Sequence, residues 1–142
     1  MKLHIITVGS PKLTYAKAGW NEYFDRLKHY HQLRVTHIAD KDNNAKHILK
    51  TARNSYKILL HVDIGQLSSL ELADFLEKKS QDGRELCFII GGPEGLPSEV
   101  LEAADMKLSL SKLTLPHDLA MVVLLEALYR ASTINAGHPY HK

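Results

Sequence analysis

An apolar run passes into a glycine-rich loop at Ile89-Ile90-Gly91-Gly92-Pro93-Glu94-Gly95-Leu96. After one short helix-sized stretch, a second loop follows another strand-like run at Leu108-Ser109-Leu110-Ser111-Lys112-Leu113-Thr114-Leu115-Pro116-His117. Both loops end where a helix can begin. Open α/β folds bind their ligands at the carboxyl ends of strands, so the two segments predict a binding crevice at one edge of a sheet.

Strand-like and helical segments alternate along the rest of the chain. Short apolar runs predict strands over residues 3–8, 33–38, 58–64 and 86–90. Helical spacing predicts a first helix, followed by helices over residues 45–53 and 70–79. The apolar face of the first helix holds Ala16, Trp20, Tyr23, Phe24, Leu27 and Tyr30. Ser68 and Glu71 form a capping box that starts the helix over 70–79. This alternation predicts an α/β fold, a single domain over residues 1–142 with a mainly parallel sheet flanked by helices.

The composition is that of an ordinary soluble globular protein, with 142 residues, 44% of them hydrophobic and 24% charged. The single cysteine, Cys87, lies in an apolar run, which favours a buried small hydrophobe over a nucleophile and suits a reducing compartment. The first apolar run is too short for a signal peptide, and no stretch approaches the roughly 18 apolar residues of a membrane span. We therefore expect a cytoplasmic protein without a membrane partner.

Charge is divided unevenly between the two halves of the chain. Residues 1–57 hold 11 Lys/Arg against 4 Asp/Glu, a net of +7, whereas residues 58–142 hold 7 against 12, a net of −5. A basic half indicates a surface that faces a polyanion. Solvation of two exposed helix faces is the alternative explanation, and charge alone does not separate the two.

Histidine is frequent, at nine residues, but the spacing of these residues does not suggest a metal site. Six of them are scattered along the first half of the chain, where we expect surface or sheet-edge positions: His4, His29, His31, His37, His47 and His61.

The last helical stretch, from about residue 116 to 131, is apolar over nearly its whole circumference. Its apolar residues are Leu119, Met121, Val122, Val123, Leu124, Leu125, Leu128 and Tyr129. A helix of this kind must be buried on all sides. In a domain this small, one face can pack on the sheet and the other on a second copy of the chain, so the sequence predicts a homodimer.

Familiar nucleotide and hydrolase motifs are absent. The loop at Gly91 has the pattern G-G-x-x-G rather than the dinucleotide pattern G-x-G-x-x-G, and the chain has no P-loop and no G-x-S-x-G elbow. The loops suit an apolar, flat ligand instead, because glycines allow close backbone approach and leucines can flank a ring whose edge bonds to Ser111 or Thr114. The alternative is that residues 108–115 form a half-buried strand whose serines face outward.

Four separated motifs together resemble a known family. They are Ile90-Gly91-Gly92-Pro93-Glu94-Gly95-Leu96, the loop from Leu108 to His117, Leu128-Tyr129-Arg130-Ala131 and Gly137-His138-Pro139-Tyr140-His141-Lys142. Their order and spacing are similar to those of the methyltransferases that modify N3 of a pseudouridine in large-subunit (23S) rRNA, within the SPOUT superfamily. The resemblance implies a C-terminal trefoil knot, S-adenosylmethionine as cofactor, a homodimer, and action on assembled ribosomes.

The resemblance also assigns roles to residues. It implies a cofactor pocket formed by Val62, Gly91, Leu110, Ser111, Lys112, Leu113, Thr114 and Leu115. It places Arg130, Tyr140 and His141 near the partner's cofactor, with His141 and Tyr140 as candidates for handling the imide proton and Arg130 as the partner of a phosphate or anion. The alternative for these three is an ordinary solvated tail and a favourable helix end.

The chain departs from the family in three places. Met121 stands where the family commonly carries an arginine, and this replacement would remove one RNA contact. The segment between the second and third strands is shorter than usual in the family. The loop after Asp63-Ile64-Gly65 is also shortened. Two other functions stay open at this point: a SPOUT methyltransferase that acts on tRNA, and an RNA-binding module without catalysis.

Overall fold

The structure is a computed structural model that describes residues 1–61 and 65–142. Strands and helices alternate in the order β1 Lys2–Val8, α1 Thr14–Leu27, β2 Gln32–Ile38, α2 Ala45–Thr51, β3 Ser55–Leu60, α3 Ser69–Ser80, β4 Glu85–Ile90, α4 Ser98–Ala103, β5 Met106–Leu108 and α5 His117–Ala136. A short 3₁₀ turn, Asp40–Asp42, lies between β2 and α2. The predicted α/β alternation is confirmed.

The five strands form one parallel sheet in the order β2-β1-β4-β3-β5. The strand predicted over 58–64 ends at Leu60, and its last three residues lie outside the described part of the chain. The half-buried strand considered for 108–115 is wrong, since β5 stops at Leu108 and the following residues form a loop. β3 separates β4 from β5, so the two loops that follow those strands flank the end of β3.

Helices cover both faces of the sheet. One core joins β1 residues Leu3 and Ile5 to α1, α3 and α5. The other core joins Ile6 and Val8 of β1 to α2 and α4. β1 is therefore buried on both faces, as expected for a central strand of a parallel sheet.

Burial of β1 corrects one expectation about the histidines. His4 is wholly buried, and its Nε2 lies 2.8 Å from the hydroxyl of Thr36 on β2. Its surface position was predicted wrongly because His4 interrupts an apolar strand that has a helical layer on each side. Cys87 is buried as predicted, and burial raises the pKa of its thiol to about 12, so the thiolate needed for nucleophilic chemistry does not form near neutral pH.

Local side-chain bonds set the ends of two helices. The predicted capping box begins α3, with Ser68 Oγ accepting from the Glu71 N–H at 3.1 Å and Glu71 Oε1 accepting from the Ser68 N–H at 2.8 Å. α5 extends five residues beyond the predicted end at residue 131. Gly137 then ends it with a φ of 71°, a conformation that glycine adopts without strain.

α5 is largely but not wholly enclosed in a single chain. Met121, Leu124, Leu125 and Leu128 are fully buried against the sheet and its neighbouring helices, whereas Val122 and three other residues, Leu119, Val123 and Ala127, are partly exposed. By length and mean hydropathy (1.3) α5 could cross a bilayer, yet 44% of that window is buried inside the protein. The homodimer inferred from its apolar circumference stays a prediction.

Candidate functional site

A cavity of about 500 Å³ opens at the carboxyl ends of β3 and β4. Its walls come from the strand ends, the two loops anticipated from the sequence and the start of α5: Leu60, His61, Ile90, Gly91, Gly92, Pro93, Gly95, Leu96, Leu101, Ser109, Leu110, Ser111, Leu113, Thr114, Leu115, His117 and Ala120. This volume lies in the range of small-molecule sites. The crevice predicted at the carboxyl edge of the sheet is confirmed as a feature of the fold.

Gly91 is required by the tight fold of its own loop. A Cβ at this position would approach Leu96 Cγ to 2.9 Å and the carbonyl carbon of Gly95 to 3.1 Å. The neighbouring Gly92 is less restricted, because a Cβ there would meet Val8 Cγ1 at 3.4 Å. The Gly95 N–H donates to the Gly92 carbonyl at 2.9 Å and closes the turn. Glycine at 91 thus lets the loop fold back against Leu96 beside the cavity.

Serine hydroxyls order the second loop from within. Ser109 Oγ donates to the carbonyl of Ser111 at 2.9 Å, and Ser111 Oγ accepts from the Leu113 N–H at 2.9 Å. Leu113 is 76% exposed at the mouth, while Leu110 and Leu115 are half-buried. The loop therefore offers aliphatic walls with polar groups held at fixed positions.

The structure brings most of the predicted pocket residues together. Six of the eight line the cavity: Gly91, Leu110, Ser111, Leu113, Thr114 and Leu115. Lys112 is exposed and is not among the lining residues. Val62 lies outside the described residues.

The walls match a flat, apolar ligand. Within the described part of the chain, no Lys, Arg, Asp or Glu lines the cavity, so a phosphate group would find no charged partner there. Leu96, Leu101 and Leu110 supply apolar surface, and Thr114 and loop backbone supply hydrogen-bonding groups. These residues fit a flat ring such as adenine, and no lysine or arginine among them would repel a positively charged sulfur. The described residues contain no group of three His, Cys, Asp or Glu placed to hold a metal ion.

The three predicted catalytic candidates cluster around Glu126. Arg130 donates to Glu126 Oε1 from Nε at 2.8 Å, its Nη1 lies 3.1 Å from His141 Nδ1, and its guanidinium stacks 4.8 Å from the centre of the Tyr140 ring. The Tyr140 hydroxyl donates to the same Glu126 oxygen at 3.2 Å. Burial, with the neighbouring hydroxyl of Tyr23 and the Glu126 carboxylate, raises the pKa of Tyr140. Tyr140 therefore stays protonated near neutral pH, so it can donate a hydrogen bond but does not act as a base.

Within one chain this cluster does not line the cavity. None of Arg130, Tyr140 and His141 is among the lining residues. Ala120 lines the cavity, and Arg130 follows ten residues later on the same helix, which is about 15 Å at about 1.5 Å per residue. One protomer therefore does not bring its own tail cluster to its own cavity.

Sequence inspection missed His117 and Asp118 at the start of α5. His117 lines the cavity, and its Nε2 is buried without a hydrogen-bond partner among the described residues. Its Nδ1 lies 3.5 Å from Asp118 Oδ1. Asp118 Oδ2 accepts from the N–H groups of Leu13 and Lys12, and these bonds lower the pKa of the carboxyl. The Pro116-His117-Asp118 sequence at a helix start was the available signal.

Met121 is wholly buried in the core between α5 and the sheet. Met121 itself therefore offers no surface to an RNA. The loss of a contact that an arginine would make at this position stays a prediction.

Relatives with related activities cover the whole chain. Proteins called "Ribosomal RNA large subunit methyltransferase H" from Deinococcus radiodurans, Clostridioides difficile and Thermus thermophilus are 50%, 42% and 39% identical, each over 100% of this chain and at least 99% of its own length.

Solved structures share the fold at low sequence identity. TrmJ from Z. mobilis ZM4 matches with a TM-score of 0.56 and 9% identity, over 94% of this chain and 70% of that one. A probable methylase family protein from Haemophilus influenzae Rd KW20 matches with a TM-score of 0.53 and 14% identity, over 99% and 70%. The family model described as "Predicted SPOUT methyltransferase" matches residues 1–141. With this match and these relatives, the chain belongs to the SPOUT methyltransferase family.

Proposed function

We propose that this protein transfers a methyl group from S-adenosylmethionine to N3 of a pseudouridine in 23S rRNA of assembled ribosomes, in the cytoplasm, as a single methyltransferase domain over residues 1–142. The observation that carries the proposal is the cavity, with its tight glycine loop, aliphatic walls and lack of charged lining groups among the described residues. The rRNA methyltransferase names of relatives up to 50% identical support the choice of RNA. The trefoil knot stays a prediction of the family resemblance.

The cavity residues have a binding and orienting role in this proposal. Gly91 and the loop from Leu110 to Leu115 would hold the cofactor, which supplies an electrophilic methyl group when bound. No lysine or arginine among the described lining residues would repel its positive sulfur. Orientation of the acceptor nitrogen against the methyl carbon can supply roughly 7–11 kcal/mol of the barrier.

The tail cluster would act on the acceptor base from a second copy of the chain. The imide N3–H must lose its proton. His141 would accept it at Nδ1 once Arg130 releases that nitrogen, because the Arg130 N–H 3.1 Å away leaves the other ring nitrogen protonated. Such a base contributes about 10²–10⁴-fold. Arg130 would stabilise the developing negative charge, since its charge is held in place by Glu126 at 2.7 Å. Tyr140 would donate a hydrogen bond. The separation of the cluster from the cavity within one chain is the reason for assigning it to the partner's site.

A labelling experiment tests the proposal. The protein is incubated with S-adenosylmethionine carrying a labelled methyl group and with ribosomes that lack the modification, naked 23S rRNA or tRNA. We expect label on N3 of one pseudouridine, with ribosomes far better substrates than naked rRNA. Label on tRNA instead would identify a tRNA methyltransferase. If no RNA is labelled and the protein does not bind S-adenosylmethionine, the protein is an RNA-binding module without catalysis.

A further inference from the structure

The solvent-facing side of α2 is basic. Lys46 and Lys50 lie one turn apart and are exposed, on the side of the helix away from the buried Ile48. Residues at this spacing have their Cβ atoms about 5–6 Å apart. Arg53, exposed in the turn after the helix, extends the row. We call Lys46, Lys50 and Arg53 the α2 basic row.

The charges of the α2 basic row are not neutralised within the described part of the protein. The ion pairs among the described residues use Arg26, Lys28, Arg34, Lys78, Lys79 and Arg130. None of them involves the α2 basic row. Three cations are therefore available to an external partner, and they account for part of the excess positive charge of residues 1–57.

α2 begins at the rim of the cavity. The side-chain amide of Asn43, just before the helix, donates to the Gly95 carbonyl at 3.4 Å. On its inner side, α2 packs Leu49 in the same core as Leu96 and Leu101, which line the cavity. A chain of phosphates along the α2 basic row would thus lead to the cavity mouth.

The chemistry of this face fits a polyanion better than a protein surface. The large hydrophobic side chains that are exposed, Leu13, Tyr15, Leu70 and Leu113, all lie outside α2. The acidic residues Glu99 and Glu102 are exposed on α4, which packs against α2, whereas α2 itself carries no acidic residue.

We propose that the α2 basic row binds the sugar-phosphate backbone of the RNA substrate and guides it to the cavity. This inference rests on the proposed function and adds to it the surface that holds the RNA. Each phosphate that a cation neutralises releases counterions, so the affinity falls with rising salt by a slope of about 0.7–0.9 per contact. Three contacts should contribute about 2–3 to that slope.

The test compares two variants of equal charge. The row variant carries Lys46→Gln, Lys50→Gln and Arg53→Gln, and the control carries Lys2→Gln, Lys28→Gln and Lys78→Gln, exposed lysines on other elements. kcat/KM for ribosomes is measured over a salt series. We expect the row variant to lower the slope of log kcat/KM against log salt by about 2–3, with the control slope unchanged. kcat at saturating ribosomes and cofactor affinity should stay at the wild-type value.

Two further measurements keep the result decisive. A charge-retaining variant, Lys46→Arg, Lys50→Arg and Arg53→Lys, should preserve the wild-type slope, which separates charge from folding. Filter binding of 23S rRNA over the same salt series needs no methyl transfer, so it tests the row even if the proposed function fails. Equal slopes for wild type and row variant in this binding assay would overturn the inference.

Discussion

The carboxylate of Asp118 is bonded to the backbone of Leu13 and joins the start of α5 to the loop after β1. Its Oδ2 accepts from the Leu13 N–H at 2.7 Å and from the Lys12 N–H at 2.8 Å. The neighbouring His117 lines the cavity. The position of one cavity wall therefore depends on a hydrogen-bonded contact between segments more than 100 residues apart.

Asp118→Asn should destabilise the protein. The amide keeps an acceptor oxygen but loses the charge that strengthens both bonds, which we expect to cost about 1–3 kcal/mol in the free energy of unfolding. Urea denaturation at pH 7 measures the loss. Asp74→Asn is the control, because Asp74 is exposed and pairs only with Lys78 among the described ion pairs. Equal losses in the two variants would contradict the special role of Asp118.

The same carboxylate predicts a pH dependence. Bonds from the backbone hold the pKa of folded Asp118 below its ordinary value of 3.8, so its contribution to stability is fully present above that pH. As the pH falls from 3.8 through the lower folded value, the contribution is lost. The stability gap between wild type and Asp118→Asn should therefore be constant above about pH 5 and shrink below about pH 4. A gap that widens on acidification would refute this assignment.

Gly91→Ala should disturb the cavity loop more than Gly92→Ala. The new Cβ would lie 2.9 Å from Leu96 Cγ at position 91, but 3.4 Å from Val8 Cγ1 at position 92. Overpacking of this kind costs about 1–3 kcal/mol. We expect a lower melting temperature and weaker S-adenosylmethionine binding in calorimetry for Gly91→Ala, with a much smaller change in melting temperature for Gly92→Ala. Similar melting temperatures would show that the loop relaxes.

The buried side chain of His31 predicts a second pH dependence of stability, this time from a basic residue. Its Nε2 lies 2.7 Å from Ser132 Oγ, which itself donates to the Leu128 carbonyl, so the imidazole donates here. Burial, with the charge of the amino terminus, lowers the pKa of His31 from 6.5 to about 4. The unfolded chain then binds more protons than the folded one between these values, and stability falls as the pH decreases through this window.

His31→Gln should remove that part of the pH dependence, because glutamine retains a donor for Ser132 but does not titrate. Urea midpoints measured from pH 7 to pH 4 should decline less steeply in the variant than in the wild type. His29→Gln changes an exposed histidine two residues away and should follow the wild-type curve. Parallel curves for all three proteins would show that His31 does not contribute to the pH dependence of stability.

Local sequence was sufficient for the elements that form by local rules. The Ser68–Glu71 capping box, the apolar strand before Gly91 and the glycine turn are all encoded within a few residues, and the structure has them. The crevice could also be predicted. In a parallel sheet the loops that follow the strands all lie at the same edge, whatever the order of the strands.

Features that depend on contacts between distant parts of the chain could not be predicted from the sequence. Burial of His4 requires β1 to be central and covered on both faces, and periodicity in one strand does not give its place in the sheet. The role of Asp118 depends on a loop over 100 residues away. Similarly, the family resemblance placed Arg130 and His141 near a cofactor, but only the structure shows that neither residue lines the cavity of its own chain.

Mixed dimers would show whether the tail cluster completes a partner's site. One parent carries Gly91→Val, which obstructs the cavity, and the other carries His141→Ala, which removes the proposed base. In a randomly re-paired equal mixture, half of the dimers are mixed, and each has one intact cavity facing one intact tail. Methylation should thus recover to about a quarter of the wild-type rate, although each parent alone is nearly inactive. If every chain used its own tail, no intact site could form, and the mixture would stay as inactive as its parents.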